Sequence, residues 1–432
     1  MAAGLVYEAW LSAFNSGDKA QIQAFYDEHL GDPVAAFPSD NAEDSCGLDP
    51  VRVESQSAQA IKVLLAERCF PALQRLTIEL GAAGEPKLKT LMIEPIGMSQ
   101  RAAANALFGI AQRLSDKDAF AGSLLLVRNG DAGFAKSWGT LDRDGDAPIK
   151  LDTPMFLASA GKMFTAVSVL QLLDAGKIDL DAPLGRYLTD YPNKDMAQVT
   201  IRQLLQHRGG TGDMGILARD EGANRAQLRS IADIIAYNGD RGPSFEPGSK
   251  AEYSNYGFLL LGAVVERVSG QSYYDYVAEH VFKPAGMTHA GFPDLDHLEG
   301  VAMGYTSFFG EEAELQSMRS VLPWRGTPGG GGVASARDMA AFMDALQSGK
   351  LLSDASFKLA ITPGDQPWSG MGFVTGPAFL GNWGHGGNSY GMDVAIHRYP
   401  GIDTDFVCLG ARDLVCDRLI TAWFLRVFGL PE

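Results

Sequence analysis

Strand signals stand at the two ends of a long run of helical ones, and that order restricts the folds open to the chain. Residues 123–128 read as a strand, Asn129-Gly130 as a turn, and a second strand runs on to Gly139. Far downstream, 392–398 and 405–410 read as closing strands before a terminal helix from Asp417. Helical spacing recurs at 104–114, 161–175, 256–269 and 336–349. This order predicts an α+β fold: an antiparallel sheet made from both chain ends, packed against a mainly helical region.

The 432 residues are enough for one large domain and a smaller one. Residues 1–98 differ in character from the rest and predict a small α+β N-terminal domain, with the larger domain spanning 99–432. Leu5, Ala9, Leu11, Ala13 and Phe14 lead into Asn15-Ser16-Gly17-Asp18, a turn and N-cap cluster, and Ile22, Phe25 and Tyr26 resume helical spacing. A further helix is expected over 58–66, and a hairpin from 73–80 and 88–94 around Gly81-Ala82-Ala83-Gly84. The stretch AFNSGDKAQIQAFYDEHL resembles the opening of NTF2-like, cystatin-type domains.

The formal charge of −16 repels phosphate backbones and anionic headgroups, so nucleic acid is not an expected partner. Four cysteines without C-x-x-C or zinc spacing predict neither a metal site nor a disulfide framework, only buried small side chains. No apolar run reaches bilayer length, and MAAGLVYEAWLSAFNSGD lacks the basic start of a signal peptide. The chain is therefore expected to be soluble, in the periplasm if a leader was removed and otherwise in the cytoplasm.

FLASAGKMF at 156–164 places Ser159 and Lys162 three apart, on one face of a first helical turn, where an amine reaches a hydroxyl. Phe164, Val167, Leu170 and Leu173 carry an apolar face on to Gly176, a helix stop. A helix N-terminus disfavours the charged form of Lys162, the direction a general base requires. A second serine competes: Gly387-Asn388-Ser389-Tyr390-Gly391 fits G-x-S-x-G, a nucleophile elbow that needs a strand before it and a helix after it. The next residues, MDVAIHRYP, read as a strand instead.

Two further groups complete the pattern. Tyr253-Ser254-Asn255 opens a helix: a phenol beside a lysine can shuttle protons, and an asparagine amide can orient the lysine and the acyl group. In Trp383-Gly384-His385-Gly386-Gly387-Asn388, glycines let a substrate lie against the backbone and expose an NH to its carbonyl oxygen.

S-x-x-K, Y-x-N and H-G-G in that order resemble the serine β-lactamase and penicillin-binding-protein superfamily, particularly class C β-lactamases and family VIII carboxylesterases. LLQHRGG at 204–210, FEPGSKAEYSNYGFLLLGAVVE at 245–266, FKPAGM at 282–287 and GGGGVASARDMAAFM at 329–343 extend the resemblance over about 104–430. The resemblance implies a β-lactamase/transpeptidase-like fold and an acyl-enzyme. In it Ser159 attacks the acyl carbon, Lys162 takes its proton, and Tyr253 relays protons and helps activate water. Asn255 would hold Lys162 and the substrate, and the backbone NH groups of Ser159 and Asn388 would form the oxyanion hole. No cofactor or metal is implied.

Two departures stand out. Class C enzymes carry a lysine where His385 stands, a cation for the carboxylate of penicillins and cephalosporins, and a neutral imidazole does not replace it. Arg208 and Gly209 occupy positions where relatives show small hydroxylated residues, so a loop bordering the pocket differs. His207 and glycines 329–332 are read as structural; the glycines lack the lysine of a phosphate loop. The expected activity is hydrolysis of small carboxylic esters by a serine hydrolase. D-amino-acid amidase, DD-peptidase or β-lactamase activity, or acylation with little turnover, is the alternative.

Overall fold

The computed structural model describes residues 2–30, 40–81, 87–128, 130–214, 228–308, 314–376 and 381–428. The chain divides into two units, one of Met1–Arg113 with Arg418–Glu432 and the other of Leu114–Asp417.

In the first unit, helix Ala2–Ser16 buries Ala3, Val6, Tyr7, Trp10 and Phe14, a stripe at helical spacing. Helix Lys19–His29 follows, its N-terminus capped by Asp18, whose carboxylate accepts from the Ala20 NH at 2.8 Å. Both helices contribute to one apolar core with Leu48, Ile61, Val63, Leu76 and Ile78. Four antiparallel strands, Leu48–Gln56, Ala60–Glu67, Leu73–Leu80 and Leu88–Ile96, pair in sequence order.

The helix expected over 58–66 is corrected here: that segment is a strand paired on both sides. Val63, Leu64 and Leu65 are all buried, and such a continuous apolar run does not distinguish a central strand from a buried helix by period alone. The hairpin of Leu73–Leu80 with Leu88–Ile96 is present, while the expected turn residues 82–84 lie outside the described residues.

The second unit carries a six-stranded antiparallel sheet. Its spatial order is Val374–Thr375, Trp383–Ser389, Met392–Tyr399, Thr404–Gly410, Gly122–Arg128 and Asp131–Trp138. The opening hairpin is thus joined to the closing strands through Thr404–Gly410 against Gly122–Arg128. Of its expected turn, Asn129 lies outside the described residues. The expected α+β arrangement, an antiparallel sheet with helices packed against it, is thus present. At its centre, helix Lys162–Asp174 is buried on every side rather than along one stripe, and Phe164 meets Phe282 and Phe342 edge-on at 5.0 and 5.1 Å. A helix apolar all round belongs in a core, and it takes Lys162 there with it.

The cysteines are a second correction. Cys46 pairs with Cys69 and Cys408 with Cys416, each at a Cα separation of 5.6 Å. No local motif announces either bridge. The first depends on the end of helix Asp40–Ser45 meeting the end of strand Ala60–Glu67, where the Arg68 and Cys69 NH groups both donate to the Ser45 carbonyl, at 3.1 and 3.2 Å.

Candidate active site

Ser159 stands on a single 3₁₀ turn, Ala158–Gly161, immediately before helix Lys162–Asp174. The turn is sharp: Ala158 has φ +44°, a left-handed conformation that costs a non-glycine residue about 1 kcal/mol or more. The result is that Ser159 remains partly accessible between buried Ala158 and Ala160.

One turn on, the Lys162 side chain is wholly buried and its Nζ lies 3.3 Å from Ser159 Oγ. Two acceptors hold the amine, Asn255 Oδ1 at 2.6 Å and the Gly329 carbonyl. Burial pulls the amine down to about 7, and the charge of Asp213 acts in the opposite direction. Near neutral pH a large fraction of Lys162 is therefore an unprotonated base.

Tyr253 and Asn255 flank Ser254, the N-cap of helix Asn255–Ser269, whose hydroxyl accepts from the Gly257 NH at 3.0 Å. Tyr253 is 41% exposed, and Lys162 Nζ lies over its ring, 4.6 Å from the centroid. Burial around its hydroxyl raises the phenol to about 12, and a hydrogen bond with Ser159 opposes the rise. Tyr253 therefore keeps its proton at rest. Its other neighbour is His207, stacked at 4.4 Å, whose Nδ1 accepts from the Ser254 NH at 3.1 Å. Burial, then the nearby Lys162 and His385, hold His207 well below the ordinary imidazole range.

Strand Trp383–Ser389 forms another wall. His385 is buried, with Nδ1 against the Gly386 carbonyl, and desolvation followed by Lys162 drives its imidazole down to about 3. It is a neutral group, not a substitute cation. Gly386 pairs with Ala395 and Gly387 with Val394 in the adjoining strand. A Cβ built on Gly387 would meet the Ser159 nitrogen at 2.5 Å and the Ala160 nitrogen at 3.0 Å, so the strand passes directly over the Ser159 turn. Asn388 and Ser389 come next, at the pocket rim. Ser389 ends this strand and Met392–Tyr399 begins the next, so G-x-S-x-G lies in a strand-turn-strand hairpin, not a nucleophile elbow.

Ser159, Asn255 and Asn388 open onto a pocket walled by Phe156, Leu295, Leu298, Leu322, Trp324 and Met392. Arg325 also lines it, with its guanidinium over the Tyr274 ring at 4.8 Å and 3.7 Å from Asp294. The pocket is chiefly apolar. Among the described residues, no cluster of three metal-ligating side chains occurs, and no helix is long and apolar enough to cross a membrane.

Sequence reasoning missed three contributors. Gly329, read as structural, supplies a carbonyl to Lys162. Asp213 accepts from Asn255 Nδ2 at 2.8 Å. Arg208 ties its loop to two others through Asp365 and the Gly248 carbonyl, while the Glu252 NH donates to the His207 carbonyl at 2.9 Å. The glycine run and the departure at Arg208 were visible signals; the link from Asp213 to Asn255 spans 42 residues and had none.

Comparison with known proteins places the chain in a family. The chain is 31% identical over 271 residues to the putative penicillin-binding protein PbpX of Bacillus subtilis (strain 168), a match covering 61% of this chain and 64% of that relative's length. The crystal structure of a penicillin binding protein from Bacillus halodurans superposes with a TM-score of 0.64 at 28% identity, over 72% of this chain and 98% of that one. EstCE1, described as a hydrolase with promiscuous acyltransferase activity, shares the fold at a TM-score of 0.64 and 21% identity, over 76% and 99% of the two chains. Residues 109–404, more than half of the chain, match the Beta-lactamase family model, and the chain belongs to that family.

Proposed function

We propose that this protein is a serine hydrolase that cleaves small carboxylic esters through an acyl-enzyme on Ser159. Neutral Lys162 takes the Ser159 proton as Oγ bonds to the acyl carbon. The tetrahedral oxyanion is held by the backbone NH groups of Ser159 and Asn388. As the carbon–oxygen bond to the alcohol breaks, the Tyr253 phenol protonates the leaving alkoxide and is reprotonated by Lys162. Water then attacks the ester on Ser159, giving up a proton through Tyr253 and Lys162, and Ser159 recovers a proton as the acid leaves.

The observation that carries esters over β-lactams is the pairing of an apolar pocket with a buried, neutral His385 where a carboxylate-binding cation would be needed. Hydrolysis of p-nitrophenyl acetate and butyrate by wild type, Ser159→Ala and Ser389→Ala tests it, with nitrocefin and a D-alanyl anilide in parallel. Ester turnover lost only in Ser159→Ala is expected. Loss in Ser389→Ala alone would overturn the site, nitrocefin or anilide turnover above that of the esters would overturn the substrate class, and a burst of one equivalent without turnover would replace hydrolysis by trapping.

A further inference from the structure

We infer that Asp213 is a positioning residue that fixes the amide of Asn255 so that the lone pair of Lys162 stays free for Ser159. The inference rests on the serine-hydrolase reading above. A neutral amine has two protons and one lone pair. Around Lys162 Nζ stand three oxygens: Asn255 Oδ1 at 2.6 Å, the Gly329 carbonyl, and Ser159 Oγ at 3.3 Å. Two protons satisfy the first two, and the lone pair is left for the serine hydroxyl. This division holds only while Asn255 turns its oxygen toward the lysine. With the amide reversed, its NH₂ would donate to the amine and consume the lone pair.

Asn255 has no preference of its own between these two orientations, since its oxygen and nitrogen occupy nearly the same space. Asp213 removes the ambiguity. Its Oδ1 lies 2.8 Å from Asn255 Nδ2, and a carboxylate can only accept, so it pairs with the NH₂ and never with the amide oxygen. Asp213 is itself held in place. Its Oδ1 also accepts from the Met214 NH at 2.8 Å, and its own carbonyl accepts from Arg241 Nη1 at 2.9 Å. The preceding residues are tied to the start of the Asn255–Ser269 helix, because the Ser254 hydroxyl bonds both Thr211 Oγ1, at 2.6 Å, and the Gly212 carbonyl.

Asp213 has a second effect through its charge. Around Lys162 it stands with the Tyr253 phenol and with His207 and His385, both neutral at working pH. Its negative charge favours the protonated lysine and so opposes desolvation. One residue thereby sets the direction of the amide and moderates how far the amine falls.

The test is a double-mutant cycle on kcat/KM for p-nitrophenyl butyrate, read with pH profiles and melting curves. Asp213→Ala is expected to lower kcat about 10- to 100-fold with little change in KM, the scale of a misplaced catalytic group. Asp213→Asn, which keeps an acceptor without the charge, is expected to lose less and to shift the acid limb to lower pH. In an Asn255→Ala background, Asp213→Ala should cost less than about twofold more, because both changes remove the same orientation. Additive losses in the cycle, or full activity in Asp213→Ala, would overturn the inference. Retained turnover in Ser159→Ala would instead overturn the underlying reading, and unchanged melting separates either result from unfolding.

Discussion

Gly387 and Ser159 approach so closely that a methyl group on the glycine would stand 2.5 Å from the serine's amide nitrogen. That nitrogen belongs to the turn and cannot swing away as a side chain would. The Gly387→Ala variant is therefore expected to displace the nucleophile turn or the strand over it, and to lose about 10²- to 10³-fold in kcat, comparable to losing an oxyanion donor. Steady-state kinetics with p-nitrophenyl butyrate and far-ultraviolet circular dichroism check this. A folded variant with wild-type kcat would contradict the proposed oxyanion position.

The pH profile should track Lys162. Only the unprotonated amine can accept the serine proton, so kcat/KM for an uncharged ester is expected to rise with pH through about 7 and then level off. Tyr253, raised to about 12, keeps its proton throughout that range and adds no descending limb near neutrality. A limb more than about one unit from 7 would point to a different base.

The two disulfides make distinct contributions. In the chain-entropy picture, a bridge closing 23 residues stabilises by about 3 kcal/mol, and one closing 8 residues by somewhat less. Replacing Cys46 and Cys69 by serine is expected to lower the denaturation midpoint more than replacing Cys408 and Cys416. Non-reducing mass analysis should find both bridges and no free thiol in protein folded under oxidising conditions.

Asp393 should give stability a pH dependence of its own. It is fully buried, its Oδ2 accepts from the Cys416 and Asp417 NH groups at 2.6 and 3.0 Å, and its Oδ1 has no hydrogen-bond partner among the described residues. Desolvation first, then Asp417 and Asp413, push the carboxyl up to about 7. The folded state keeps a proton that the unfolded chain releases above about pH 4. Its contribution to stability is thus full below about 4 and lost as pH rises through about 7. Melting of wild type against Asp393→Asn from about pH 4 to 8 should show wild type losing ground as pH rises; parallel curves would contradict this.

The larger unit was legible because its signals are local and repeated. S-x-x-K sits at the start of the helix expected over 161–175, Y-x-N just before the one expected over 256–269, and the alternation after Met392 predicts a strand. The Ala60–Glu67 strand was not legible, since Val63, Leu64 and Leu65 are buried in succession and pairing on both sides, a non-local fact, decides the outcome. The disulfides and the Asp213 to Asn255 contact escaped for a related reason. Each joins segments whose meeting depends on the completed fold, and neither Cys46 nor Asp213 differs locally from any solvent-facing polar or small residue.

The join between Thr404–Gly410 and Gly122–Arg128 also bears on when the protein can first act during its synthesis. A nascent chain that has emerged through Ser159, Lys162 and Tyr253 still lacks the Trp383–Ser389 strand that lies over the serine. Among the described residues, that strand is joined to the opening hairpin in the sheet through two later ones, ending at Gly410. Ribosome-bound or prematurely terminated chains that stop before that strand would therefore carry Ser159 and Lys162 without the backbone that lies over the serine, and under the proposed mechanism turnover would wait for the strands up to Gly410.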